Sequence, residues 1–176
     1  REFIPELLAA LDITSRSNEK FIKEIEDGMA EYWNSEKLET RPGAEELLAR
    51  TREEGFIQLA LTALPKKTAT SALKAGGLDS EQIQIHSFAG EGKAVATADI
   101  WMRAAVDQNV NLSLGAGLVS SAKACRAAMT ADVHCVVVPD QFTRFQDFGG
   151  TNLVVNELAD LDIDEMLDVF YQEADS

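Results

Sequence analysis

Residues 111–140, NLSLGAGLVSSAKACRAAMTADVHCVVVPD, constrain the fold of this chain more than any other stretch. An apolar run at 111–114 leads into Gly115-Ala116-Gly117, which reads as a tight turn. A helix with small residues on its inner face follows and closes at Ala127-Ala128-Met129. A second apolar strand then runs over 134–138. Strand, turn, helix and strand in that order form the repeating unit of a parallel α/β sheet, whose ligands bind at the strand ends.

The remaining pattern agrees with such a sheet. Helical periodicity covers 3–11 and 18–33, where Phe21, Ile22, Ile25, Met29 and Tyr32 make one apolar stripe and Ser15 or Ser17 is placed to cap. Thr40-Arg41-Pro42-Gly43 is a break, and Pro42 is positioned to open a helix over 44–54 that Gly55 ends. A buried strand is expected at 56–61, then a turn at Pro65, a helix through Ala75 stopped by Gly76-Gly77, and a short strand at 83–85. A helix over 98–106, an edge strand at 153–155 and a closing helix over 163–172 complete the reading. Helices come first and strand–helix alternation follows, so the expected fold class is α/β, a parallel sheet flanked by helices. Its central strands, 56–61, 111–114 and 133–138, are expected to be nearly inaccessible, because parallel strands are covered on both faces.

With 176 residues, 45% of them hydrophobic, the chain suits one well-buried domain with a small helical appendage. No apolar run approaches the roughly 18 residues of a bilayer span, and no signal-peptide pattern opens the chain. An intracellular soluble protein is expected, with an organellar location left open if a segment has been removed before Arg1. The formal charge of −14 argues against nucleic acid and against insertion in or broad adhesion to anionic membranes. Residues 157–176 carry eight Asp or Glu and no Lys or Arg. That segment reads either as a docking surface for a basic protein partner or as the solvated face of a last helix with Met166, Leu167, Val169 and Phe170 turned inward.

Cys125 and Cys135 lack metal-ligand spacing and read as reduced, buried thiols. His86 and His134 do not form a pair, and no Ser-His-Asp order or metal-spaced cluster emerges. Ser120 and Ser121 lie near the start of the helix after Gly117, where backbone N–H groups suit an anion; ordinary polar N-terminal residues are the alternative. Gly90-Glu91-Gly92-Lys93 matches only half of a phosphate loop. Trp33 and Trp101 read as packing residues.

The stretch Gly115 to Met129 resembles the last motif block of the haloacid dehalogenase (HAD) superfamily of phosphatases and phosphomutases. Arg41-Pro42-Gly43-Ala44-Glu45-Glu46-Leu47-Leu48 with Gly55-Phe56 and Leu59-Ala60-Leu61 is similar to that family's passage from cap to core. Asp99-Ile100-Trp101 with Ala104-Ala105 is similar to the segment after its lysine. Gln146-Asp147-Phe148 with Asn152-Leu153-Val154-Val155 resembles the ending of the CbbY-type sugar-phosphate phosphatase and β-phosphoglucomutase subgroup. The resemblance implies a HAD-like (Rossmannoid) core over 41–176 lacking its first strand, preceded by a cap remnant over 1–40.

The resemblance also locates the family's chemistry. Its leading motif, Asp-x-Asp on the first strand, has no counterpart here; Asp160-Leu161-Asp162 has the letters at the wrong end. The phosphoryl-holding Ser or Thr aligns with Ala63, with Thr62 one residue early and expected to face the other way. The lysine is matched by Lys93, two residues too far upstream of Asp99; a surface lysine is the alternative. The metal-holding acid aligns with Ala116. Vestigial positions are therefore Thr62, Ala63, Lys93 and Ala116, with Ser120 and Ser121 as phosphate-binding candidates and no metal ligand. The reading is a catalytically degenerate domain acting as a structural, regulatory or interaction module, with protein partners and no cofactor. The alternative is a Mg²⁺-dependent sugar-phosphate phosphatase or phosphomutase whose nucleophile lies in an N-terminal segment outside the sequence.

Overall fold

The computed structural model of the chain describes residues 18–33, 38–93, 95–164 and 166. The expected helix over 3–11 and most of that over 163–172 lie outside them, as do the side chain of Trp33 and most of the acidic tail. Helix α1 spans Asn18–Trp33 and α2 spans Ala44–Glu53. Charge favours α2 at both ends, with Glu45 and Glu46 in its first turn and Arg50 and Arg52 in its last. Its N-cap is Gly43 at φ +87°, and Pro42 sits in the preceding turn rather than opening the helix. A Cβ at Gly43 would stand 2.7 Å from the Ala159 backbone, so only glycine fits this approach.

Strand β1 (Gln58–Thr62), helix α3 (Lys66–Ala75) and strand β2 (Ile83–Ser87) form one parallel unit. Helix α4 (Ala98–Gln108) ends on Asn109 in the left-handed conformation, φ 52°. A 3₁₀ turn at Leu112–Leu114 leads to β3 (Ala116–Val119), α5 (Ala122–Thr130), β4 (His134–Val137) and the two-residue β5 (Leu153–Val154). Among the described residues the strands make two sheets, β1-β2 and β3-β4-β5, and every pairing is parallel.

The core is deepest around β4. Cys135 and Val137 pack with Cys125 of α5, while Val136 and Val138 pack with Met166, Leu158, Leu161 and Ile163. The period-2 alternation of a strand thus sends successive side chains into helical cover on one face and the 158–166 segment on the other. Helix α5 presents Ala122, Cys125 and Ala128 to this core. Its small residues let the helix lie close to the sheet.

Four expectations are corrected. The run at 111–114 is not a strand: the Asn111 carboxamide oxygen accepts hydrogen bonds from the Ser113 N–H and hydroxyl, which curls the segment into a 3₁₀ turn. Gly115-Ala116-Gly117 is not the turn after a strand but its beginning, for Gly115 already accepts from the His134 N–H. Nor are all three central strands inaccessible. Val136 and Val137 are fully buried, whereas every residue of β1 is half-buried and Ala116 and Leu118 are exposed. The first expected strand also starts two residues later, at Gln58.

Candidate functional site at the strand ends

In a parallel sheet with helices on its faces, the carboxyl ends of the strands are the place where ligands meet the chain. Here that rim carries Thr62 at the end of β1 and Ala63 after it, Ser87 at the end of β2, Ser120 and Ser121 after β3, and Pro139 and Asp140 after β4. The Thr62 hydroxyl accepts from the Leu64 N–H at 3.1 Å, which closes a small turn at the strand end. Ser87 donates its hydroxyl to the Leu64 carbonyl at 2.7 Å, so both hydroxyls serve the same turn. Ala63 is exposed beside them.

The largest change concerns Ala116. It opens β3 opposite His134, the first residue of β4. Four residues at about 3.3 Å each put it roughly 13 Å from the rim, at the amino ends of the strands. Ala116 therefore lies away from the rim, and Ser120 and Ser121 stand there instead. The miss has a physical cause: glycine in an apolar run signals a turn, but Gly117 is required by packing. A Cβ there would lie 3.0 Å from Trp101 Cη2 and 3.2 Å from Val133 Cγ1. The expected packing role of Trp101 is met in the cluster of Ala128, Ala131 and Val133. Its indole N–H is buried with no hydrogen-bond partner among the described residues.

Ser121 caps α5, its hydroxyl accepting from the Ala124 N–H at 3.3 Å. The Ala122 N–H is taken by Gln146 Oε1 at 2.8 Å. Two of the donors at this helix start are thus already engaged within the chain, which lowers its capacity for an incoming phosphate. Gln146 is a rim contact that sequence reasoning missed; it lies 24 residues away, in a stretch without periodicity.

Lys93 lies in the segment between β2 and α4. Its ammonium donates to the Thr97 hydroxyl at 3.0 Å and to both Asp99 carboxylate oxygens at 3.2 and 3.3 Å, with Glu91 at 4.0 Å. Hydrogen bonds from Thr97 and Lys93 hold the Asp99 carboxyl below the usual range; Thr97 gives the larger effect. Glu91 is likewise lowered, chiefly by its hydrogen bonds from Arg103 at 2.8 and 3.0 Å, and Arg103 is raised in return. The lysine is part of an ion-pair cluster that fastens the start of α4. His86 pairs with Asp107 at 3.2 Å, beside a shallow cleft lined by Met102, Arg103 and Val106.

Asp140 is the rim's carboxylate, and the chain already uses it. It accepts from the Phe142 N–H at 2.7 Å and from the Thr143 N–H and hydroxyl at 2.9 and 3.0 Å. The Phe142 N–H is the main reason that its pKa falls below the aspartate norm. Beside it, Arg41 donates to the carbonyls of Val138 at 2.8 Å and Pro139 at 2.9 Å. Among the described residues no group of three His, Cys, Asp or Glu is placed to hold a metal ion. A hard cation such as Mg²⁺ needs several oxygen donors, and this rim's hydroxyls, methyls and one engaged carboxylate do not fit it.

The chain matches no protein-family model. Among curated proteins it is similar to the protein CbbY of Cereibacter sphaeroides, 26% identical over 161 residues, which are 89% of this chain and 66% of CbbY. The crystal structure of CbbY from Rhodobacter sphaeroides, in complex with phosphate, superposes with a TM-score of 0.71 at 20% identity. It covers 84% of this chain and 67% of that one. The β-phosphoglucomutase of Clostridium difficile gives 0.70 at 18% identity, covering 98% and 78%. A HAD hydrolase of Entamoeba histolytica gives 0.73 at 16%, covering 96% and 78%. The chain has the HAD-like fold, resembles its CbbY-type members, and spans about two thirds of the length of CbbY.

Proposed function

We propose that this chain is a HAD-like domain without phosphoryl-transfer chemistry of its own, serving as a structural, regulatory or interaction module in a larger assembly. One observation carries the reading: among the described residues, the rim where the chemistry of such a fold takes place bears Thr62, Ala63, Ser120 and Ser121, and no free set of carboxylates. Phosphoryl transfer depends on placing an attacking atom in line and on neutralising the charge of the transferred group. Lys93 is the cation that the resemblance expects for that charge, and it is already matched by Asp99 and Glu91. Hydroxyls engaged in turns and caps supply neither function.

A second reading keeps the chemistry of the similar proteins. In it the chain is the larger part of a sugar-phosphate phosphatase or phosphomutase whose nucleophile lies on another segment. The similarity to CbbY along 89% of the chain favours it. One assay separates the two. The 176-residue protein, incubated with Mg²⁺ and either p-nitrophenyl phosphate or a small sugar phosphate, should release no phosphate above the buffer rate. Turnover of about 1 s⁻¹ or faster, the ordinary range of enzymes, would overturn the first reading. Restoring an acid at the rim calls for Ser120→Asp or Ser121→Asp. Ala116→Asp would place the carboxylate at the opposite end of the strand and should change nothing.

A further inference from the structure

The buried thiols belong to neither reading of the rim. Cys125 lies on α5 and Cys135 on β4. The Cys135 thiol donates to Cys125 Sγ at 2.9 Å, and the Cys125 thiol donates to Met129 Sδ at 3.6 Å. A disulfide bond is about 2 Å long, so the two cysteine sulfurs stand nearly at bonding distance. Backbone hydrogen bonds hold them there. The Cys135 N–H donates to Asn152 Oδ1 at 2.8 Å, and its carbonyl accepts from the Thr151 hydroxyl at 2.8 Å. The Cys125 N–H donates to the Ser121 carbonyl, within the first turn of α5. The contact is thus set by a strand clamped at both backbone groups of Cys135 and by a helix capped at Ser121.

The two cysteines are not equivalent. β4 runs between β3 and β5, so Cys135 has a strand on each side and α5 over it. Cys125 sits on a helix of nine residues that forms the outer layer of the pair. That helix can lift without breaking a sheet ladder, whereas the strand cannot move alone. Cys125 therefore meets a dissolved reagent first, and Cys135 acts from within. Burial slows such a reaction but does not decide its equilibrium.

We propose that Cys125 and Cys135 form a redox modification site, which closes to an internal disulfide by exchange with a small dissolved disulfide such as oxidised glutathione. In the first step the Cys125 thiolate, its proton gone to solvent, attacks one sulfur of the reagent. The reagent's S–S bond breaks and one glutathione thiolate leaves. The glutathione now joined to Cys125 is too large for a close-packed core, so the helix cannot settle back over it. In the second step Cys135 loses its proton and attacks Cys125 Sγ along the contact already present, and the second glutathione thiolate leaves. Both leaving thiolates take up protons. The cysteine pair is oxidised and the reagent is reduced, one disulfide for another. A disulfide is the fitting oxidant class, because a peroxide would also attack the Met129 thioether beside Cys125. The bridge joins the first turn of α5 to the middle strand of its sheet, and so fixes the helix that Ser121 caps at the rim. It holds under either reading of the rim.

The test uses the 176-residue protein and a glutathione redox buffer in which the oxidised form predominates. Equilibrium is approached from two directions: the folded reduced protein, and the urea-unfolded protein diluted into the same buffer to refold. Each sample is quenched with acid and its intact mass is read. Both should end lighter by one pair of hydrogens and free of glutathione, and excess reduced glutathione should restore the thiols. Cys135→Ala, which keeps a small apolar group in the core, should accumulate one glutathione on Cys125. Cys125→Ala, added folded, should take up glutathione at least tenfold more slowly. In the bridged protein the amides from Cys125 to Met129 should exchange at least tenfold more slowly, and those of β4 should keep their protection. Free thiols in the refolded sample overturn the proposal, since burial cannot have kept the reagent out there. A wild-type protein that retains glutathione, dimerises through a disulfide, or loses protection at β4 on bridging overturns it as well. Faster uptake by Cys125→Ala than by Cys135→Ala overturns the assigned order of attack.

Discussion

β4 and β1 are strands of almost equal length and similarly apolar sequence, His-Cys-Val-Val against Gln-Leu-Ala-Leu-Thr, yet their surroundings differ completely. β4 has a neighbour on each side, α5 on one face and the 158–166 segment on the other, and Cys135, Val136 and Val137 are wholly buried. Among the described residues β1 has helical cover but a neighbour on one side only, and none of its five residues reaches full burial. Burial of a parallel strand therefore requires lateral neighbours as well as covered faces. Apolar composition supplies the faces, and topology supplies the neighbours.

The sharpest way to break this contrast is to place one charge in each setting. Val136→Asp should abolish cooperative folding, at a cost above roughly 4 kcal/mol, because an unpaired carboxylate there has neither water nor partner. Leu118→Asp, on the open edge, should shift stability by no more than about 0.5 kcal/mol. Urea melts of both variants compare them, and equal losses would show that the edge is as enclosed as the centre.

Smaller changes probe how the two sheets are tied. Gly43→Ala should cost about 2–4 kcal/mol, since it combines a left-handed φ with a collision on the Ala159 backbone. Arg41→Ala leaves the Val138 and Pro139 carbonyls without their donor and should cost about 1–3 kcal/mol. In both variants, exchange at β1 should accelerate more than exchange at β4. A loss of protection spread evenly over both sheets would argue that they unfold as one unit.

The smallest effect is electrostatic. Asp99 and Asp140 have folded-state pKa values below their unfolded ones. Their contribution to stability is therefore complete above the unfolded value of about 3.9 and is lost as pH falls through the folded value. Carboxyl NMR titrations should find both midpoints below that of a free aspartate. Thr97→Val should move the Asp99 midpoint upward and leave that of Asp140 in place.

The sequence carried the order of elements well, because helix and strand periodicities are local properties. The helices Asn18–Trp33, Ala44–Glu53 and Lys66–Ala75 and the edge strand at Leu153–Val154 were all legible. The slip at 111–117 came from a non-local cause. Gly117 looks like a turn residue until Trp101 is known to lie on it, and Asn111 looks compatible with a strand until its side chain is seen turned back on Ser113. The site inherited that slip, since the resemblance puts Ala116 at the rim through the glycines beside it. Gln146 at the start of α5 and Arg41 on the end of β4 were invisible for the same reason. Each reaches a partner at least 24 positions away, and no periodicity encodes such a reach.

The two thiols of the core have a use that follows from their placement. Cys125 Sγ and Cys135 Sγ lie 2.9 Å apart, one on α5 and one on β4, and both are shut away from solvent. Burial, with the neighbouring thiol second, pushes Cys135 up to about 12. Alkylating reagents attack the thiolate, so a closed core offers them almost nothing. Labelling must wait until the helix lifts from the strand, and its rate then reads the frequency of that event. The protein thus carries its own clock for breathing at the α5–β4 seam, readable by mass spectrometry with no residue substituted.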